Sequence, residues 1–297
     1  MFSDALTAAL QEAIAGATGE RFVIQQATPA SGGCIHSSWV LAAGEVRYFA
    51  KLNDARFAAS FAAEAEGLAA LREGGMRAPR PLAHGTASGH AFLLLEFLAI
   101  GPAADAGFRE LGRSLARLHD YRGTQFGWHR DNFIGSTPQS NAMGPSWAEF
   151  WRHQRLAPQL ALAAQNGHRG RVQWLGEQVI EAVPWLLAGH ESVPALLHGD
   201  LWRGNAAVLE SGAPVVFDPA VYYGDPEADL AMTELFGGFP ESFYEGYREV
   251  HPVAGGYKLR RVLYNLYHVL NHLNLFGGGY RAQAEAMIDG LLAATGH

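Results

Sequence analysis

The chain has 297 residues, of which 48% are hydrophobic and 17% charged, and its formal net charge is −7 at pH 7. This composition predicts a globular protein with a large core and argues against a nucleic-acid binder, which needs a basic face. The single cysteine, Cys34, excludes an internal disulfide framework, and the longest candidate membrane stretch, residues 91–95, is far shorter than the roughly 20 residues of a span. We see no secretory signal, and we expect a soluble cytoplasmic protein.

The first third of the chain combines two helical segments with several strand-like ones. Apolar residues recur at helical spacing over residues 4–15, where Gly16 would end the helix, and again over residues 55–72. Strands are predicted at residues 21–26, 38–43, 45–52, 81–84 and 91–97. The second and third of these strands are joined at Gly44 and predict a hairpin.

The remainder of the chain is mostly helical. Helical periodicity covers residues 108–121, 146–165, 172–187, 229–235 and 259–276, with short strand-like runs at 206–209 and 215–217. Asp225 or Glu227 is expected to cap the helix that opens near residue 226, in preference to a catalytic role. The sequence therefore predicts an α+β protein with a β-rich N-lobe (residues 1–97), a helical C-lobe (residues 98–297), a hinge at residues 96–101 and a cleft suited to ligands.

The densest group of chemically active residues is the segment 198–205, His-Gly-Asp-Leu-Trp-Arg-Gly-Asn, followed by Phe217-Asp218. Phosphoryl transfer from ATP needs a carboxylate for the attacking hydroxyl, oxygen ligands for Mg²⁺ and a cation for the phosphates. Asp200 and Asn205 can share one tight loop, and Asp218 can complete the metal shell. The spacing predicts a kinase-like catalytic loop, and the alternative is a buried polar turn in which Asp200 caps a helix.

Lys51 is one of only two lysines in a chain whose other 20 basic residues are arginines; the second, Lys258, is interpreted as a surface residue. In kinases a strand lysine contacts the phosphates of ATP and is held by a helix glutamate. Lys51 ends a predicted strand, and Glu64 follows on a predicted helix. We predict that these two residues form the phosphate-binding pair, while Glu66 faces elsewhere on the helix. A solvated strand end is the alternative for a lone lysine.

The small-residue segment 31–37 lies between the first two predicted strands, where a phosphate-covering loop belongs. Backbone N–H groups at Gly32, Gly33 and Cys34 can approach phosphates closely. The segment has neither Walker A nor GxGxxG spacing, so a plain connection between strands is the alternative.

Taken together, these motifs resemble the fructosamine kinase / ketosamine-3-kinase family, within the protein-kinase-like and aminoglycoside-phosphotransferase-like superfamily. The HGDxxxxN spacing with a later aspartate indicates only the superfamily. Three runs are narrower: DNFIGSTPQ at residues 131–139, RLxPQL at 155–160 and HGDLWxGN at 198–205. The resemblance covers most of the chain.

The resemblance implies a role for each matching residue. Asp200 would be the base toward the sugar hydroxyl, Asn205 and Asp218 the Mg²⁺ ligands, and Lys51 and Glu64 the phosphate-binding pair. The adenine-contacting hinge would consist of three consecutive residues, Glu96, Phe97 and Leu98.

Other implied roles have open alternatives. Trp202 and His272 would line the sugar pocket, although each could instead be a packing residue. Arg203 stands where a small residue is expected. Cys34 matches a loop cysteine that can be redox-sensitive, so the protein could be a monomer or a homodimer linked through Cys34, although the residue could simply fill the loop.

The implied activity is ATP- and Mg²⁺-dependent phosphorylation of the 3-hydroxyl of a ketosamine, carried on a small amine or a protein. A phosphate on C3, the carbon next to the C2 carbonyl, leaves readily, and hydrolysis then frees the amine, which amounts to deglycation and protein repair. Two alternatives stay open: a small-molecule kinase of the aminoglycoside or choline type, and an inactive nucleotide-binding or redox-sensing module.

Overall fold

The structure, a computed structural model, describes residues 2–30 and 36–295 and has two lobes. The elements of the N-terminal lobe are α1 (Asp4–Thr18), β1 (Gln26–Pro29), β2 (Ser37–Ala43), β3 (Val46–Asp54), α2 (Ala58–Glu73), β4 (Pro81–Ala87) and β5 (His90–Glu96). The strands form an antiparallel sheet with the order β1-β2-β3-β5-β4.

A helix packs against each face of this sheet. Because side chains alternate along a strand, Phe92 and Leu94 of β5 join the apolar cluster under α1, while Leu93 and Leu95 join the cluster under α2. Lys51 of β3 lies directly opposite Leu93 in the β3–β5 register and therefore points to the α2 side. The pleat of the sheet thus directs the lysine toward α2.

The C-terminal lobe is mostly helical. Its helices are α3 (Asp105–Leu118), α4 (Trp147–Phe150), α5 (Ala157–Gln165), α6 (Arg171–Leu186), α7 (Pro226–Thr233), α8 (Glu241–Arg248), α9 (Tyr257–Phe276) and α10 (Arg281–Ala294), with a π-helical turn between α4 and α5. Short antiparallel ladders pair β6 (Asn132–Ile134) with β7 (Thr137–Gln139), β8 (Ala195–Leu197) with β11 (Tyr222–Gly224), and β9 (Ala206–Val208) with β10 (Pro214–Val216). Among the described residues, no helix combines the length and the apolar character that crossing a membrane requires.

The two lobes share part of their core. The apolar cluster under α2 continues into the C-terminal lobe through Leu111 and Leu115 of α3, and through Leu201 and Val216 beside the predicted catalytic loop. The core of the C-terminal lobe surrounds α9, which is buried along most of its length. The predicted α+β, two-lobed fold class is confirmed, while the division at residues 97/98 stays a prediction.

Most predicted elements are present, including the short runs at 206–209 and 215–217, which correspond to β9 and β10. The hairpin at Gly44 and the long helices are present. The predicted stop at Gly16 is wrong, because α1 continues to Thr18 and is capped by Gly19 in the left-handed conformation at φ 76°. The predicted strand at residues 21–26 is also wrong, since the strand that pairs with β2 begins at Gln26.

Candidate active site

A cleft between the lobes contains two joined cavities of about 410 and 240 Å³. The smaller cavity is largely apolar, with a wall formed by Phe49, Leu68, Pro79, Leu95, Leu98 and Ile100. The larger cavity is bordered by residues 200–205 and by the C-terminal end of α9. Lys51, Glu64 and Asp218 line both cavities, so the charged group lies where the two cavities meet.

Lys51 is buried and shared by two carboxylates. Its Nζ atom lies 2.6 Å from Oε1 of Glu64 and also pairs with Asp218. Burial works to lower the pKa of Lys51, but Asp218 and Glu64 outweigh it and hold the pKa above its ordinary value. Burial raises the pKa of Glu64 to about 7, even though Lys51 acts in the opposite direction. The predicted pair of Lys51 and Glu64 is thus present, and Asp218 joins it.

The loop that carries Asp200 is shaped by its backbone. Gly199 has φ 81°, and a Cβ there would lie 2.1 Å from the carbonyl oxygen of Ala220, so only glycine fits. The Asp200 N–H donates to Nδ1 of His198, and Nε2 of His198 bonds the Phe217 carbonyl at 2.8 Å. Because burial also lowers the pKa of His198, the ring is neutral and links the loop to the strand before Asp218.

Asp200 and Asn205 face each other across this loop. The Nδ2 group of Asn205 donates to the Asp200 carbonyl at 2.9 Å and to its carboxylate at 3.2 Å. Burial and the charge of Asp218 raise the pKa of Asp200 to about 7, against the hydrogen bond from Asn205.

Asn205 and Asp218 carry oxygen atoms that suit a hard cation. Since Nδ2 of Asn205 is used within the loop, its Oδ1 is left to face a ligand, and Asp218 supplies a carboxylate. Desolvation of Asp218 in the cleft works to raise its pKa. The charge of Lys51 and its hydrogen bond outweigh desolvation and hold the pKa of Asp218 below its ordinary value. An ionised carboxylate and an amide oxygen are the kind of ligands that Mg²⁺ prefers.

A third aspartate, Asp229, which the sequence did not single out, anchors the backbone of the loop that carries Asp200. The Asp229 carboxylate accepts the N–H groups of His198 at 2.7 Å and of Gly199 at 2.8 Å. Its own position is fixed by His119, whose other ring nitrogen bonds Tyr247 at 2.9 Å. Burial works to raise the pKa of Asp229, but His119 and the backbone N–H groups outweigh it, so the carboxylate is charged.

The neighbouring prediction, that Asp225 or Glu227 caps the start of this helix, is confirmed. Asp225 is the N-cap of α7, and its side chain accepts the N–H of Glu227 at 3.0 Å. Asp225, which caps the helix, and Asp229, which binds the loop backbone, are both acidic residues near the start of α7. The sequence alone therefore did not distinguish their roles.

The segment 131–141 fixes the chain just beyond Asp218. Asn132 donates to the carbonyl of Val221 at 2.8 Å, and Gln139 donates to that of Ala220 at 3.1 Å. Gln139 and Asn141 also both donate to Oδ1 of Asn132. These buried amides form a connected network, so the DNFIGSTPQ run has a structural task in positioning the end of the Asp218 segment.

Arg155 completes this network from the π-helical turn. It is fully buried, donates to Oδ1 of Asn141 at 2.8 Å, and no carboxylate of the described residues pairs with it. Its guanidinium instead lies 3.9 Å from the ring centroid of Tyr222 and 4.6 Å from that of Phe150. Aromatic faces and carbonyl oxygens therefore stabilise this cation.

Aromatic side chains line the C-terminal side of the larger cavity. Trp202 and Phe276 are 38% and 56% exposed, and both border the cavity that contains Asp200. Phe236 connects Trp202 to His272, since its ring centroid lies 6.2 Å from that of Trp202 and 4.5 Å from that of His272. His272 bonds the carbonyl of residue 268, and burial lowers its pKa, so its ring is neutral. Trp202 and His272 thus line the same cavity as Asp200, while their role as sugar contacts stays a prediction.

The predicted hinge is only partly arranged as expected. Glu96 and Leu98 line the smaller cavity, but the Glu96 carboxylate is bound by Arg77 at 2.7 Å and by the Arg80 N–H at 3.0 Å. Phe97 is not among the lining residues, and Arg47 lies 4.2 Å above its ring. The Glu96 carboxylate is therefore engaged within the protein, and the Glu96 N–H also donates to the Arg80 carbonyl at 2.9 Å.

Arg203 and the predicted phosphate-covering segment are not part of the described cleft. The guanidinium of Arg203 lies 4.0 Å above the ring of Phe108, on the side of the loop away from the cleft cavities. Gly32, Gly33 and Cys34 lie outside the described residues.

Other charged groups that resemble sites are internally paired. Glu234 and Glu241, which border an open crevice of about 460 Å³ beside α8, each pair with an arginine. His190, Asp225 and Glu227 have the proximity of metal ligands. Asp225, however, also accepts hydrogen bonds from a serine and a tyrosine, and Glu227 is bound by an α9 arginine.

Comparisons with known sequences place this site in a family context. The family model for fructosamine kinase matches residues 6–294. A probable ketoamine kinase of Synechocystis sp. is 48% identical over 281 residues, which is 94% of each chain. A chloroplastic protein-ribulosamine 3-kinase of Arabidopsis thaliana is 41% identical over 265 residues, which covers 88% of this chain and 81% of the relative.

Solved structures give the same picture at the level of the fold. A candidate fructosamine-3-kinase of Haemophilus somnus 129PT superposes with a TM-score of 0.87 at 28% identity, covering 95% of this chain and 96% of that one. An aminoglycoside phosphotransferase in complex with ADP and hygromycin B reaches a TM-score of 0.65 at 14% identity, with 96% and 98% covered, and shows likeness of fold alone.

Proposed function

The chain belongs to the fructosamine kinase family, and from this premise we propose that it transfers the γ-phosphoryl group of ATP to the 3-hydroxyl of ketosamines. The observation that carries the proposal is the convergence of Lys51, Glu64, Asp200, Asn205 and Asp218 on one cleft. A cation, a metal-type ligand set and a carboxylate base are what phosphoryl transfer requires, since it depends mainly on positioning and charge neutralisation.

Lys51 and Glu64 form the phosphate-binding pair in this proposal. The buried ammonium contacts the phosphates of ATP, and Glu64 keeps it oriented. The apolar smaller cavity receives the adenine, beside the backbone at Glu96 and Leu98. Gly32, Gly33 and Cys34, the proposed phosphate-covering residues, lie outside the described residues.

Asn205 and Asp218 are the proposed magnesium ligands. Bound magnesium would neutralise charge on the transferring phosphoryl group. Asp218 has φ 52°, a left-handed conformation that aspartate tolerates, and this turn aims its side chain toward Lys51 and the cleft. Lys51 keeps the carboxylate ionised, which favours binding of a cation.

Asp200 is the proposed general base. The sugar 3-oxygen attacks the γ-phosphorus, the bond to the β–γ bridging oxygen breaks, ADP departs, and the hydroxyl proton passes to the Asp200 carboxylate. The pKa of Asp200 is raised to about 7, close to the value at which a base both stays deprotonated near neutrality and binds a proton well.

Trp202 and His272 are the proposed sugar contacts. The exposed face of Trp202 suits stacking on a sugar, and His272, being neutral, does not repel the protonated amine of a ketosamine. After transfer, loss of a proton from C1, beside the C2 carbonyl, gives an enaminol that expels inorganic phosphate from C3. Water then hydrolyses the resulting imine, and the amine is recovered. The proposed physiological result is deglycation of small amines or proteins.

Two other functions are less well supported. A kinase for aminoglycosides or choline shares the fold, but the identity of 48% over 94% of the chain is to a probable ketoamine kinase. An inactive nucleotide-binding or redox-sensing module would not need Asp200 and Asn205 beside Lys51 and Asp218. A cytoplasmic location and the oligomeric state, monomer or Cys34-linked homodimer, stay predictions.

A substrate panel tests the proposal. The purified protein is given Mg-ATP with ribulosamines, erythrulosamines and fructosamines, each on a small amine and on a protein, and with choline and an aminoglycoside as comparison. Phosphorus NMR should detect a new phosphate monoester only with ketosamines. Phosphorylation of choline or the aminoglycoside without any ketosamine product would contradict the proposed substrate class.

A further inference from the structure

Helix α2, which carries Glu64, is attached to the C-terminal lobe by a second glutamate. The Glu66 carboxylate accepts the indole N–H of Trp128 at 2.7 Å. It also pairs with His129 at 2.9 Å and with Nε of Arg130 at 3.0 Å. We call these four residues the Glu66 cluster. It joins the N-terminal lobe to the segment that precedes β6.

Trp128 is the rigid member of this cluster. Its ring packs against apolar residues of both main core clusters, and its centroid lies 5.3 Å from that of Tyr223 in β11. Its backbone N–H is bound by the Asn141 carbonyl at 3.0 Å, so the residue is also tied to the DNFIGSTPQ region. The indole N–H is therefore a fixed point of the C-terminal lobe.

The neighbouring residue brings α2 close to the Asp218 segment. A Cβ at Gly67 would lie 3.1 Å from Cγ of Pro219 and 3.4 Å from methyl groups of Val221. Glycine destabilises the interior of a helix, and this close approach explains why a glycine stands in the middle of α2. Glu66 and Gly67 thus hold one helical turn against the C-terminal lobe.

The same turn begins with Glu64, which points in another direction. Residues two apart on a helix project from different faces, so Glu64 reaches Lys51 while Glu66 reaches Trp128. Movement of α2 away from the C-terminal lobe would draw Glu64 away from Lys51 and Asp218. The separation of the two lobes is therefore coupled, through α2, to the geometry of the Lys51–Glu64 pair.

We propose that Glu66 is a positioning residue that fastens α2 to Trp128 and so keeps the Lys51–Glu64 pair assembled before ATP binds. The proposal rests on the proposed kinase function, which gives that pair its task. The hydrogen bond from Trp128 is the main contact. Arg130 and His129 are 41% and 61% exposed at their side chains, so their ion pairs with Glu66 are screened by solvent.

The test measures binding of a non-hydrolysable ATP analogue with Mg²⁺ by calorimetry, which needs no ketosamine. Glu66→Ala should weaken binding by about 5- to 10-fold, the effect of losing a charge-assisted hydrogen bond that holds a binding group. Trp128→Phe keeps the packing and should weaken it by about 3- to 5-fold. Glu66→Gln retains an oxygen acceptor for Trp128 and should lose less than about threefold.

Glu73→Ala is the matched control. Glu73 is an exposed glutamate of the same helix, and no hydrogen bond or ion pair joins it to the described residues, so its removal should change binding less than about twofold. Hydrogen exchange of the α2 amides should be faster in Glu66→Ala than in Glu73→Ala. The double variant Glu66→Ala/Trp128→Phe should bind no more weakly than Glu66→Ala alone, since both changes remove the same contact.

The outcomes separate this proposal from the proposed function. Analogue binding in Glu66→Ala and Trp128→Phe within twofold of wild type would overturn the role of Glu66. If the variants weaken analogue binding as expected but the wild-type protein turns over no ketosamine, the proposed substrate would be overturned. The role of Glu66 would then still be supported. Wild-type protein that fails to bind the analogue would overturn both.

Discussion

At the scale of single residues, the arrangement around Lys51 explains why a lysine stands in a chain that otherwise favours arginine. The ammonium is compact, 7% exposed, and fits between Glu64 and Asp218. A guanidinium is planar and wider, and its five donors have a fixed geometry. An arginine here would displace one of the two carboxylates, and either displacement disturbs the proposed phosphate or metal contact.

We therefore predict that Lys51→Arg lowers kcat/KM for ATP by roughly 100-fold, in the range found when one electrostatic contact to a reacting group is removed. Steady-state kinetics with a saturating ketosamine would measure this. Lys258→Arg is the matched control, because it makes the same change at the only other lysine, which is exposed. Equal activities of the two variants would show that Lys51 does not contact the phosphates.

Residues whose roles follow from their spacing along the sequence could be predicted. Residues whose roles depend on contacts made only in the folded structure could not. Asp200, Asn205 and Asp218 follow from the distance between acidic and amide residues on a loop, and the structure brings them together. Asp229 lies in an ordinary acidic helix start, and only the folded backbone shows that its carboxylate holds His198 and Gly199. Glu66 was predicted to face away from Lys51, which is correct, but its partner lies 62 residues away.

At the scale of elements, the run 131–139 and the π-helical turn act as one support beneath the Asp218 segment. Arg155 is central to that support, because its cation is buried and its two terminal nitrogens donate to carbonyl and amide oxygens. Removing it would leave those acceptors without a donor and would uncover the faces of Tyr222 and Phe150. Buried acceptors without donors are costly.

Arg155→Met should lower the free energy of unfolding by about 3 kcal/mol, the sum expected for a few unsatisfied acceptors and lost cation–π contact. Denaturant unfolding at constant ionic strength measures this value. Arg171→Met, which removes an exposed arginine that pairs with Asp289, should lower it by less than about 1 kcal/mol. A loss of the same size in both variants would contradict the assigned role of Arg155.

Most of the long helices could be predicted, although α10 was not, and several of the shortest elements could not. The hairpin and helices such as α6 and α9 repeat their apolar residues often enough to be recognised. The three-residue strands β6 to β8 and β11 have no pattern of their own and exist because tertiary contacts pair them. Helix α8 is only eight residues long and was missed for the same reason.

At the scale of the whole molecule, the two lobes are connected by more than the chain that joins them. A common apolar cluster runs from α2 and β5 into α3 and β10, and the Glu66 cluster adds polar contacts nearby. The nucleotide half of the cleft therefore depends on residues of both lobes. This coupling was outside the reach of sequence reasoning, because it depends on which helix face meets which loop.

In the proposed reaction, this cleft places a ketosamine 3-hydroxyl against Asp200 for phosphorylation. The most direct test is two-dimensional phosphorus–proton NMR of the product that the protein forms from Mg-ATP and a ribulosamine, followed until the amine is released. We predict phosphate on oxygen 3 and stoichiometric amine release with wild type, and turnover slower by about 10³-fold or more in Asp200→Asn, in which analogue binding stays within about threefold of wild type. Phosphate on a different oxygen, or near-normal turnover in Asp200→Asn, would contradict the account.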